Sequence, residues 1–138
     1  VGPIRTLVVD DEQLARDRLV GFLAGVDDVA LVGQAGDGVE AIRLIEQERP
    51  DLVFLDVQMP GMDGFAVLKT LRTPRPHVVF STAFDEYAIR AFEVGAVDYL
   101  LKPYARGRVQ ESVSRIRTRL EEAHEGPDWD GLLRRLEE

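Results

Sequence analysis

The sequence predicts an α/β fold: a five-stranded parallel sheet flanked by five helices. Three observations predict it. Short apolar runs alternate five times with segments whose apolar residues recur at helical spacing. The third run, Leu52-Val53-Phe54-Leu55, is apolar without alternation, as suits a central parallel strand covered on both faces. Short loops join the units, so successive strands connect by right-handed crossovers.

Ile4 to Val9 reads as the first strand and stops abruptly at Asp10 and Asp11. From Glu12 the period changes, and Ala15, Leu19, Phe22, Leu23 and Val26 share one face of a helix ending near Gly25. Val29 to Ala35 is the second strand, and Gly36-Asp37-Gly38 is the turn after it. Ala41, Ile42, Leu44 and Ile45 mark a helix closed before Pro50. Asp51 to Leu55 forms the third strand. After Gln58-Met59-Pro60-Gly61-Met62-Asp63-Gly64, a short helix spans Phe65 to Leu71 and ends before Pro74 and Pro76. Val78-Val79-Phe80 is the fourth strand, and Glu86 to Val94 the fourth helix, with Ala88, Ala91 and Phe92 facing inward. Ala96 to Leu101 is the fifth strand. Val109, Val113, Ile116 and Leu120 form one stripe of the fifth helix.

A chain of 138 residues fits one domain, here residues 1–125. Residues 126–138 begin with the break Gly126-Pro127, yet Trp129, Leu132, Leu133 and Leu136 fall at helical spacing. Two readings stay open: a linker docking loosely on the domain, or a helix leading to a partner or to an absent output domain. Seventeen basic and twenty-five acidic residues give a net charge of −8, which disfavours contact with nucleic acid or anionic membrane. The lack of cysteine excludes disulfides and thiolate chemistry and fits a reducing, cytoplasmic setting. No window approaches 18 consecutive apolar residues. The first residue is Val rather than Met, so removal of something upstream stays open.

Ligands of open parallel sheets bind beyond the carboxyl ends of the strands, where the strand order reverses. With strand order 2-1-3-4-5, the first and third strands are neighbours, and Asp10, Asp11 and Asp56 share one pocket. Three close carboxylates repel one another, and at least one acquires a raised pKa. A hard divalent cation relieves that conflict. Magnesium, with manganese as a substitute, suits Asp11 and Asp56 as side-chain ligands, the Gln58 carbonyl as a backbone ligand and Asp10 acting through water. Neither histidine nor cysteine lies nearby, which argues against zinc. Asp56 is then the candidate nucleophile toward phosphorus. Lys102 leaves the fifth strand at the same edge, and Thr82 ends the fourth, so an ammonium and a hydroxyl are available to phosphoryl oxygens.

The stretches Leu7-Val8-Val9-Asp10-Asp11-Glu12, Leu55 to Gly64, Ser81-Thr82-Ala83 and Asp98 to Pro103 closely resemble the receiver domain of bacterial two-component response regulators. The resemblance spans residues 4 to about 122. Residues Ser81 to Ala88, Ala91-Phe92-Glu93 and Asp98 to Pro103 are similar to the LytR/AlgR branch, whose receiver precedes a DNA-binding output domain of the LytTR kind. The resemblance implies a flavodoxin-like, doubly wound fold of the CheY type. It implies Asp56 as the phosphorylated residue, Asp10 and Asp11 as magnesium-organising acids, Thr82 as the phosphate-sensing hydroxyl and Lys102 as the phosphate-binding cation. Tyr99 occupies its aromatic switch position, with a plain core aromatic as the alternative. The bond before Pro103 is expected to be cis. A sensor histidine kinase is the implied phosphodonor, DNA is reached only through an output domain, and the domain catalyses its own aspartyl phosphorylation and dephosphorylation.

The face formed by the fourth helix, fifth strand and fifth helix is the candidate switch and homodimer surface. Arg106, Arg108, Arg115, Arg117 and Arg119 are expected to oppose Asp85, Glu86, Glu93 and Asp98 across two chains, with simple solvated flanks as the alternative. Two rival functions remain: a magnesium-dependent hydrolase using an aspartyl phosphate, and an unphosphorylated interaction module. The hydrolase needs a general acid, and Val57 and Gln58 after Asp56 supply none. His77 reads as a surface-loop histidine, and His124 as a helix-end residue.

Overall fold

A computed structural model describes residues 2–125 and residue 136. The tail readings through Trp129, Leu132 and Leu133 lie outside the described residues, as does the side chain of His124. Within them, five parallel strands run β1 (Ile4–Val9), β2 (Val29–Ala35), β3 (Leu52–Asp56), β4 (His77–Thr82) and β5 (Asp98–Leu101). Their order is β2-β1-β3-β4-β5, as expected. The helices are α1 (Gln13–Ala24), α2 (Gly38–Glu48), α3 (Gly64–Thr70), α4 (Ala88–Glu93) and α5 (Arg106–Glu125).

Every residue of β3 is buried, because helices cover both faces of the central strand. Side chains alternate across the sheet, so Leu7, Val53, Leu55 and Phe80 pack toward α2 and α3 with Ile45, Phe65 and Leu68. Val8, Phe54, Val79 and Leu100 face the opposite layer with Leu19, Leu23, Val109, Val113 and Ile116. The apolar stripe read on α5 is thus its inner face.

Two helix starts follow from capping. The Asp37 carboxylate accepts the Glu40 backbone N–H, and that of Asp63 accepts the Ala66 N–H, each satisfying an otherwise orphaned donor. The fourth helix is tighter and shorter than its sequence suggests. Asp85–Tyr87 forms a 3-10 turn, and α4 proper has six residues. Phe92 is corrected from inner to outer face: it is 66% exposed, and Ile89 is 75% exposed. With so short a helix, Ala91 alone is buried, seated over β5, while Phe92 is turned one position away from that contact.

The expected pairing of charges across two chains is also corrected in part. Asp98 is buried and takes a bidentate contact from Arg108 at 2.7 Å to each oxygen, with Arg115 at 2.9 Å and the Ser112 hydroxyl at 2.6 Å. Arg117 donates to the Asp27 carbonyl at 2.7 Å. Arg108, Ser112 and Arg115 fasten α5 to β5, and Arg117 ties it to the loop before β2. They are not free to meet a second copy.

Candidate functional site

Because β1 pairs with both β2 and β3, the carboxyl ends of β1 and β3 lie side by side at the point where the chain reverses direction across the sheet. Asp10 follows β1, and Asp56 is the last residue of β3. One carboxylate oxygen from each of Asp10, Asp11 and Asp56 lies within 4.8 Å of the others. Asp10 and Asp56 are buried, at 3% and 4% exposure, whereas Asp11 faces solvent.

The loop after β1 is held by its own backbone. The Glu12 N–H donates to Asp10 Oδ1 at 2.9 Å, and the Arg16 guanidinium donates to the Asp10 carbonyl at 2.7 Å. The Gln58 N–H donates to Asp56 Oδ1 at 3.2 Å, while the Gln58 side chain reaches away to the Tyr87 hydroxyl at 2.8 Å. Lys102 closes the site from β5. Its Nζ lies 2.8 Å from Asp10 Oδ2 and 3.4 Å from Asp56 Oδ2. The Lys102 N–H donates to the Thr82 carbonyl at 2.7 Å, binding the ends of β4 and β5 together, and the Lys102-Pro103 bond is cis as expected.

Burial pushes the Asp56 carboxyl up to about 7; Lys102 opposes the shift, and the Asp10 charge adds to it. Lys102 also shifts upward, as a carboxylate-rich setting dictates. Burial favours loss of its proton, but Asp10 and Asp56 outweigh burial and hold its pKa above the usual lysine range. The site is therefore short of positive charge for three acids. Its donors are hard oxygens, two of them on buried side chains, and this triad is able to coordinate a divalent metal such as magnesium.

Thr82 is buried at the end of β4, and its hydroxyl accepts the Phe84 N–H at 3.3 Å. Tyr99 is half-buried, and its hydroxyl donates to the Phe84 carbonyl. Thr82 and Tyr99 are thus linked through one residue, Phe84.

Three contributors escape sequence reading. Gly64 packs against the end of β3 so tightly that a Cβ there would lie 2.5 Å from the Asp56 carbonyl oxygen. Arg16 braces the Asp10 backbone. Tyr104 places its hydroxyl 3.4 Å from that of Ser81, the β4 partner of Asp56. Only Gly64 carries a sequence signal, as the glycine between a capping Asp and an apolar helix start.

The model of the response regulator receiver domain matches residues 6–114. The chain is 49% identical over 115 residues to the transcriptional regulatory protein BtsR of Salmonella typhi, covering 83% of this chain and 48% of that protein. It is 40% identical over 129 residues to the sensory transduction protein LytT of Bacillus cereus, covering 88% and 52%. The chain spans about half the length of these curated relatives. Among solved structures, the receiver domain of AraT from Geobacillus stearothermophilus superposes with a TM-score of 0.77 at 34% identity, covering 87% of this chain and 97% of that one. The response regulatory domain of mrkE from Klebsiella pneumoniae gives 0.78 at 31% identity, covering 85% and 98%. Fold, acidic cluster and these likenesses agree, and the chain belongs to the response regulator receiver domains, the phosphoacceptor modules of bacterial two-component signalling.

Proposed function

We propose that Asp56 is the phosphoacceptor of this receiver and that a sensor histidine kinase supplies the phosphoryl group. One observation carries the reading: Asp56 is a buried carboxylate with a raised pKa, within reach of two further acids and a lysine ammonium. An Asp56 oxygen attacks phosphorus, an acyl phosphate O–P bond forms, the P–N bond to the donor imidazole breaks, and the imidazole leaves to take up a proton. Lys102 holds its ammonium toward the phosphoryl oxygens, and Thr82 donates its hydroxyl to one of them. Asp10, Asp11, Asp56 and the Gln58 carbonyl are the metal-holding set. Bound magnesium supplies neutralisation of the phosphoryl charge and orientation of the reacting oxygens. Hydrolysis of the acyl phosphate by water returns Asp56 to its carboxylate.

The phosphoryl group places roughly 1.5 to 2 negative charges beside Lys102 and Thr82, in place of the charge of the Asp56 carboxylate. Movement of Thr82 toward phosphate breaks its bond with the Phe84 N–H, and Tyr99, held to the same residue, follows. Pro103 fixes the Lys102 turn. The readout is the face of α4, β5 and α5, acting through homodimer formation. Residues 126–138 connect residues 1–125 to a DNA-binding output domain of the LytTR kind, a reading supported by relatives twice as long, one named a transcriptional regulatory protein. A cytoplasmic setting accords with that role; no described helix is long and apolar enough to cross a membrane.

Incubation with magnesium and acetyl phosphate tests the chemistry by intact mass. One phosphoryl adduct is expected on the parent protein and none on Asp56→Asn. An equal adduct on the variant, or failure of the parent to label with any donor including candidate kinases, would overturn the assignment.

A further inference from the structure

At the opposite pole of the sheet, where the strands begin, lies a cavity of about 290 Å³ between the end of α2, the loop before β4 and α5. His77 opens β4 there, four residues from Ser81, the partner of Asp56; this is roughly 13 Å at about 3.3 Å per strand residue. The cavity is separate from the acidic cluster and shares no residue with it.

Its lining is cationic in a chain whose net charge is −8. Arg49 and Arg75 both line it, and among the described residues neither has a carboxylate within ion-pair distance. The Thr73 hydroxyl lies behind the same wall, closed off from the cavity and without a hydrogen-bond partner among the described residues. Burial, and then the Arg119 charge, push the His77 imidazole down, against the smaller pull of Asp51. Asp51 is the one acid in the lining, and its carboxylate already accepts the Arg5 N–H at 2.9 Å.

We infer that this cavity is a second binding site, for a small phosphate-bearing anion. Two guanidinium groups and an imidazole supply the donors that a multiply charged oxyanion takes up, and the guanidinium fork matches phosphate geometry. Such a ligand ties α2, the loop before β4 and α5 together through Arg49, Arg75 and the wall at Leu120.

The test uses the full chain without magnesium, titrated with pyrophosphate at ionic strength held constant by chloride, with backbone amides followed by NMR. Saturable shifts at Thr73, Arg75 and His77 are expected, together with a rise in the His77 ring pKa. Arg49→Gln and Arg75→Gln should each weaken binding roughly tenfold, as loss of one charge-assisted hydrogen bond implies. Acetyl phosphate labelling of Asp56 in these variants serves as the check of folding. Shifts that never saturate, that centre on Asp10 and Asp56 instead, or that are unchanged in both arginine variants would overturn the site. Tighter binding of citrate than of pyrophosphate would overturn the phosphate assignment.

Discussion

At the scale of single residues, burial holds Asp56, the proposed phosphoacceptor, in an unfavourable charge state. Burial raises its pKa to about 7, so between about pH 4 and 7 the folded protein binds more protons at this position than the unfolded chain does. Stability from this group is full below about pH 4, is lost as pH rises through 7, and the penalty is complete above that. Asp56→Asn removes the penalty. We expect the variant to be more stable than the parent by on the order of 1 kcal/mol at pH 8 without magnesium, and indistinguishable from it near pH 4. Urea denaturation at the two pH values measures this. Saturating magnesium should close the gap at pH 8 by stabilising the parent alone. A variant less stable than the parent at pH 8 would mean that the Lys102 contact, not burial, dominates at Asp56.

At the scale of elements, Asp98 does for α5 what turn and cap residues do for α2 and α3. It holds the helix at one rotation against the sheet, next to Tyr99. Burial pushes the Asp98 carboxyl up, but bonds from Arg108, Ser112 and the Tyr99 N–H outweigh burial and leave it below the usual carboxylate range. The sign is therefore opposite to that of Asp56: the contribution is present above about pH 4 and disappears as pH falls through the lowered value. Asp98→Asn should cost about 1–2 kcal/mol at pH 7, discounted because Arg108 and Arg115 are partly exposed, and almost nothing near pH 2. Thermal unfolding across pH checks it, and a cost that persists undiminished in acid would show that shape, not charge, is lost. None of this was legible in the sequence. Asp98 sits in a strand that reads as apolar, and its partners lie 10, 14 and 17 positions away on another element. The strand order and the Asp10, Asp11, Asp56 and Lys102 cluster were legible, because each residue ends an apolar run and the topology carries run ends to one edge. Arg16 was not: its role depends on a backbone carbonyl of the loop after β1, which leaves no side-chain pattern to read, and Gly64 showed only as the glycine between a capping Asp and an apolar helix start.

At the scale of the whole molecule, the misplacement of Phe92 is informative. Sequence periodicity assigns every apolar residue of an amphipathic segment to the core, and an outward apolar side chain is read as inward unless a second surface is considered. Phe84, Ile89, Phe92 and Leu101 are all exposed and all belong to α4, β5 or the loop that joins β4 to α4. Arg108, Arg115 and Arg117, three of the charges expected to bridge two copies, are engaged within the chain by Asp98 and the Asp27 carbonyl. The homodimer proposed for this face therefore rests on apolar contact, with charges such as Arg119 and Glu93 at its rim. Phe84 also carries the bonds to Thr82 and Tyr99, so the phosphoacceptor end and the apolar face share a residue. Acetyl phosphate with magnesium should shift the protein from monomer toward dimer in sedimentation velocity. Because burying one large apolar side chain contributes about 1.5–3 kcal/mol, Ile89→Asp with Phe92→Asp should weaken that association at least roughly tenfold while Asp56 still labels to the same extent. Labelled parent protein that stays monomeric, or a labelled double variant that dimerises as well as the parent, would move the output of the switch to another face.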